Sequence, residues 1–90
     1  MNSRQTMFHK VKAVEPLPDY RLRIEFSEDA VKEYDLKPLL GKWDSFQTLL
    51  TVPGLFEQVK ADAGGYAVAW NDDLDLSADE LWHNGSEIHS

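Results

Sequence analysis

Tyr20-Arg21-Leu22-Arg23-Ile24-Glu25-Phe26 alternates apolar and charged residues with period two, the pattern of a β-strand with one dry and one wet face. Upstream, Val11 to Glu15 has the composition of a preceding strand, ended by Pro16-Leu17-Pro18-Asp19, because proline cannot donate to a ladder and Pro-Asp favours a turn. Downstream, Ser27-Glu28-Asp29-Ala30 is a polar connection of hairpin length. Val31 to Leu36 then resumes extended character, with Tyr34 able to pair across to the previous strand. These three segments predict an antiparallel β-meander.

Beyond Pro38 the period changes. Leu39-Leu40, Trp43, Phe46, Leu49-Leu50 and Leu55-Phe56 recur at spacings of three and four, which suit short helices. Asp44 or Ser45 is expected to cap the first, and Thr51 the second, with Val52 and Pro53 in its opening positions. Gln58 to Asp62 reads as a short strand and Tyr66 to Trp70 as a central one. Between them Ala63-Gly64-Gly65 supplies the positive φ of a hairpin, Gly65 included. Ser77-Ala78-Asp79-Glu80 is a capping box, with Ser77 as N-cap, Glu80 reaching back from N3, and Leu76 and Leu81 as the hydrophobic staple. A helix is expected from Ala78, ended by Gly85 as a left-handed residue, with His83 in the last turn. The fold class read from these segments is α+β: a meander, short helices, a second β-hairpin and a capped C-terminal helix.

Ninety residues make a single domain, 1–90, with its ordered part expected over about 7–85 and loose ends at 1–6 and 86–90. With 42% hydrophobic residues and ten aromatics, a packed core is expected. No cysteine is present, which removes disulfides, thiolate metal sites and cysteine nucleophiles together. The apolar runs are far shorter than the roughly 20 residues of a membrane span, and the first residues lack a secretory signal, so a cytoplasmic address and no membrane partner are expected.

Charge is divided unevenly. Residues 1–60 hold nine basic groups and nine acids, whereas residues 61–90 hold seven acids and no Lys or Arg, so the net charge of −7 lies wholly in the last third. Such asymmetry bears on partners and association kinetics more than on fold. Asp72, Asp73, Asp75, Asp79 and Glu80 lie between Trp70 and Trp82. An acidic chain repels phosphates, and the expectation drawn from it is no direct nucleic-acid binding.

The acids admit plain readings. Asp79 and Glu80 in a first helical turn offset the macrodipole by roughly 0.3–1 kcal/mol each. If Asn71 to Asp75 is extended, Asn71, Asp73 and Asp75 share one side, but a calcium loop fails because Ala78 replaces the turn glycine and Asn84 the terminal glutamate. His9, His83 and His89 lack ligand spacing, and His9 and His89 are expected to be solvated. Ser77 has the spacing of a helix cap and no glycine elbow around it. No catalytic residue, no metal and no cofactor are expected. Trp70 is assigned to the core, and Trp43 and Trp82 are the candidate interface anchors.

Phe8-His9-Lys10-Val11, Pro16-Leu17-Pro18-Asp19-Tyr20, Tyr34-Asp35-Leu36-Lys37-Pro38-Leu39-Leu40, Gly65-Tyr66 and Trp70-Asn71-Asp72-Asp73-Leu74-Asp75-Leu76-Ser77-Ala78-Asp79-Glu80-Leu81-Trp82 together resemble the small bacterial family of unknown function numbered 2442. The resemblance implies an α+β domain with antiparallel strands, similar to the N-terminal domain of longer members that carry a helix-turn-helix domain after it; none is expected within these residues. It also implies a pairing with a second small protein that looks like a toxin–antitoxin module, this type being the antitoxin. The expectation is therefore a non-enzymatic interaction module for a small basic protein, with Asp72, Asp73, Asp75, Asp79, Glu80, Trp43 and Trp82 at the contact. The alternative is a small-molecule or cation sensor domain. Edge strands leave a homodimer open.

Overall fold

A computed structural model describes residues 9–88. Three strands, β1 (Val11–Leu17), β2 (Arg21–Phe26) and β3 (Val31–Asp35), form the expected antiparallel meander. Alternation along β2 decides its orientation: Leu22, Ile24 and Phe26 are fully buried, while Arg23 is exposed. Tyr34 pairs across to β2 as expected, and its partner there is Leu22. β1 runs through Pro16 to Leu17 instead of ending before it. Because β1 is the outer strand of its sheet, the missing proline N–H costs no ladder bond there. Tyr20 belongs to the turn, where Asp19 and Tyr20 take φ of 68° and 57°, and its ring packs on Phe56 with centroids 5.1 Å apart.

The middle of the chain holds two one-turn helices, α1 (Lys37–Leu40) and α2 (Thr48–Thr51), separated by a 3₁₀ turn over Asp44–Gln47. The expected caps are corrected here. Helix formation begins at Lys37 with Pro38 in the first turn, the position proline tolerates, and Thr51 ends α2 instead of starting a helix. Thr48 Oγ1 donates to the Ser45 carbonyl at 2.7 Å, and a second 3₁₀ turn spans Phe56–Gln58.

A second antiparallel sheet, β4 (Lys60–Ala61), β5 (Ala67–Asn71) and β6 (Leu74–Ser77), has β5 at its centre. Gly65, with φ of 77°, closes the β4–β5 connection against the start of β1: Val11 N–H donates to the Gly65 carbonyl at 2.7 Å, and a Cβ on Gly65 would lie 2.9 Å from the Val11 carbonyl oxygen. Trp70 is buried as expected, its indole N–H donating to the Phe56 carbonyl at 3.2 Å.

Helix α3 (Ala78–Asn84) begins where the capping pattern places it, and Ser77 Oγ accepts from Glu80 N–H at 3.1 Å. Leu76 and Leu81 both join the core. Two details differ from expectation. Glu80 does not reach back to the cap, because its carboxylate is engaged by Tyr34 and Asn84. Gly85 is extended, with φ of −79° and ψ of 161°, not left-handed. Glycine is needed there for space: a Cβ would lie 2.5 Å from the Leu81 carbonyl oxygen and 3.3 Å from Lys32 Cβ, because the chain turns directly onto β3. It continues as β7 (Ser86–Glu87), pairing with Glu33 and Lys32, so the region after Gly85 is docked through Ile88 and not loose. Residues 1–6 and 89–90 of the expected loose ends lie outside the described residues. Among the described residues no helix is long and apolar enough to cross a membrane.

Candidate functional site

The acidic segment is a hairpin followed by a helix, not one extended stretch. Asp72-Asp73 forms the turn between β5 and β6, with Asp73 N–H donating to Asn71 Oδ1 at 2.9 Å. Neither turn residue takes a positive φ, and the ladder shifts register between Ala69 and Asn71 to close the hairpin without the mirror-image turn. Leu74 is buried and Asp75 exposed by the alternation along β6. Asp72, Asp73, Asp75 and Asp79 are all solvent-facing.

Their electrostatic setting distinguishes them. Five ion pairs join described residues: His9 with Glu28, Lys12 with Glu25, Arg21 with Glu33, and Lys37 with both Asp19 and Asp35. All lie in the first part of the chain, and none among the described residues involves Asp72, Asp73, Asp75 or Asp79. The ion pairs thus fall in the part of the sequence that carries both signs, and these four carboxylates present charge that no described cation pairs.

Glu80 stands apart from the other acids. Tyr34 O–H donates to its Oε2 at 2.8 Å and Asn84 Nδ2 donates to the same oxygen at 2.9 Å. Burial of the Tyr34 ring, then the hydrogen bond and charge of Glu80, raise the tyrosine above its ordinary value. This cluster lines an open groove of about 790 Å³ that also includes Arg21, Glu33, Asp35 and Lys42. The Lys37 backbone N–H at 2.9 Å, assisted by the Lys37 side chain, holds Asp35 below the usual carboxylate range. A smaller pocket of about 270 Å³ lies at the hairpin turn, where Asn71, Asp73 and Leu74 meet Ser45, Thr48, Val52 and Leu55. The acids named from the sequence therefore face different concavities, Asp73 in one and Glu80 in the other.

The two candidate tryptophans also separate. Trp82 is half-buried: His9 stacks on it at 3.9 Å with an 8° interplanar angle, Phe26 meets it edge-on at 4.9 Å, and Lys32 Nζ sits 4.4 Å from its centroid. His9 is thereby corrected from a solvated to a packed residue, with Nδ1 2.8 Å from Glu28 Oε2; His89 lies outside the described residues. Trp43 is 52% exposed, and Leu50, Val52 and Tyr66 are the other large apolar side chains most open to solvent. Among the described residues no group of three His, Asp or Glu side chains is placed to hold a metal ion.

The family model described as "Protein of unknown function (DUF2442)" matches residues 11–87, from the first residue of β1 to the last of β7. The chain belongs to the DUF2442 family. No curated protein matches it significantly. The DUF2442 fold seen here is similar to the crystal structure of a "putative DNA binding protein" from Nitrosomonas europaea, with a TM-score of 0.74 and 31% identity over 91% of this chain. The match covers 52% of that protein, so this DUF2442 chain spans about half its length. That likeness overturns the exclusion of nucleic acid as a partner. The exclusion rested on net charge, which is a sum over the chain; it does not report the local placement of the nine basic groups in residues 1–60.

Proposed function

We propose that this DUF2442 chain is a protein-interaction module that captures a small basic protein, in the manner of an antitoxin holding its partner, through the acidic hairpin and the start of α3. The observation that carries the reading is that Asp72, Asp73, Asp75 and Asp79 are exposed and take part in none of the ion pairs among the described residues. Free carboxylates of one sign steer an oppositely charged partner and raise its association rate. Trp43, exposed and close in sequence to α2, is the aromatic anchor in this reading, whereas the Trp82 ring is engaged by its own neighbours.

The test is affinity capture by the tagged protein from its native lysate at low and high salt, with fluorescence-anisotropy titrations of duplex and single-stranded DNA beside it. One stoichiometric basic protein, retained at low salt and shed at high salt, is expected. Retention of none, or capture indifferent to salt, sinks the reading. DNA binding by the purified chain at moderate salt would replace it with a direct nucleic-acid role.

A second reading, a sensor domain of a DNA-binding regulator, is favoured by one observation. The groove beside Tyr34 and Glu80 has a volume within the roughly 300–1,000 Å³ usual for small-molecule pockets. This reading predicts a rise in melting temperature with a metabolite or cation at saturating concentration. A thermal-shift screen in which no compound moves the transition counts against it.

A further inference from the structure

The pocket at the hairpin turn has a composition that the charge reading alone does not explain. Its volume of about 270 Å³ is below the range usual for metabolite sites and suits one long side chain. Val52, Leu55 and Leu74 give it apolar walls, and Asp73 is its only charged lining residue. Three neutral polar side chains, Ser45, Thr48 and Asn71, complete the lining. The Thr48 hydroxyl hydrogen is committed to the Ser45 carbonyl, so the oxygen has only lone pairs left to offer. Asn71 Oδ1 already accepts from Asp73 N–H, which fixes the turn that carries the carboxylate.

A small open pocket with apolar walls, acceptors and one carboxylate matches a particular kind of group: an aliphatic stem carrying a cation with several donors. Arginine has that form. Its methylene stem packs on apolar surface while its planar guanidinium offers five N–H donors in a fork, more than an ammonium can place on spread acceptors. We propose that this pocket receives an arginine side chain of the basic partner protein, with Asp73 accepting from the guanidinium and Val52, Leu55 and Leu74 packing on the stem. The proposal rests on the interaction-module reading above and narrows it: Asp73 makes a specific contact, whereas Asp72, its neighbour in the same turn, contributes only to the long-range field.

That difference between adjacent acids supplies the test. The full chain, labelled with nitrogen-15, is titrated with acetyl-Gly-Arg-Gly-amide, and separately with peptides bearing norleucine or lysine in place of arginine. Amide shifts are expected at Ser45, Thr48, Val52, Asn71 and Asp73 with the arginine peptide, and weaker binding with the other two. Asp73→Asn is expected to weaken the arginine peptide about tenfold and Asp72→Asn less than about twofold, since only the former removes a charge-assisted hydrogen bond. Both positions are exposed turn residues, and unchanged thermal unfolding of each variant confirms that the fold is retained.

Equal loss from the two variants, equal binding of the norleucine or lysine peptide, or shifts confined to the groove at Tyr34 and Glu80 would overturn the proposal. The peptide titration does not need the natural partner. A positive titration with no captured basic protein would leave the pocket standing and remove the partner reading. Captured partner with no effect specific to Asp73 would do the reverse.

Discussion

The Tyr34 hydroxyl donates a 2.8 Å hydrogen bond to Glu80 Oε2, tying β3 to the first turn of α3. The contact joins the meander to the acidic segment.

Removing that hydroxyl is expected to cost stability in a pH-dependent way. Burial first, and Glu80 second, raise Tyr34 above the ordinary 10.0, so the folded chain holds the phenolic proton more tightly than the unfolded chain does. The associated stabilisation is complete below the unfolded value and is lost as pH rises beyond it toward the folded one. Tyr34→Phe should be about 1 kcal/mol less stable than the parent near pH 7. The gap should narrow above about pH 10 as the parent alone loses this contribution. Urea unfolding of both proteins across that range measures it; a gap that widens with pH would show the sign to be wrong.

Gly85 and Gly41 should respond oppositely to alanine. A Cβ at Gly85 meets the Leu81 carbonyl oxygen at 2.5 Å and, on β3, Lys32 Cβ at 3.3 Å and the Glu33 carbonyl oxygen at 3.4 Å, so Gly85→Ala should cost about 1–3 kcal/mol. At Gly41 no atom lies within 4 Å of the added methyl, and φ is −92°. Gly41→Ala should be neutral or stabilise by up to about 1 kcal/mol. Thermal unfolding of the pair decides whether space, and not backbone freedom, holds the glycine at 85.

Ser77 is the N-cap of a seven-residue helix that is too short to persist without its ends satisfied. Ser77→Ala should lose about 1 kcal/mol, and Ser77→Asp should restore most of it. Calorimetry showing equal loss in both variants would place the role of Ser77 elsewhere than in its oxygen.

Trp43 and Trp82 should divide stability from recognition. Trp82→Ala removes the surface on which His9, Phe26 and Lys32 pack and should cost about 2–3 kcal/mol. Trp43→Ala, at a side chain 52% exposed, should change stability by no more than about 0.5 kcal/mol. If Trp43 is the anchor, its loss should weaken capture of the basic partner by about 2 kcal/mol. Denaturation curves and titration calorimetry on the same two variants separate these effects.

Local pattern was a good guide where one face of an element is buried. The alternation through Arg21 to Phe26 predicts the buried triplet Leu22, Ile24 and Phe26, and the Ser77 spacing locates the start of α3. It failed where two turn chemistries compete. Asn71-Asp72-Asp73 is compatible with an extended strand or a hairpin, and the closing contact between Asn71 and Asp73 is decided by how β5 and β6 pair. At Gly85 the helix end was legible but its geometry was not, since the spatial constraint comes from Lys32 and Glu33 on β3.

Period, capping spacing and composition are local properties of the chain, and they sufficed for the meander, the capped helix and the segregation of negative charge into the last third. The surroundings of each acid came from the packing of distant segments. Asp73 lines one pocket with Ser45, Thr48 and Val52, while Glu80 is hydrogen-bonded by Tyr34 and Asn84. Neither set can be read from spacing, because most of its contacts join segments far apart along the chain, brought together by burial of a shared core.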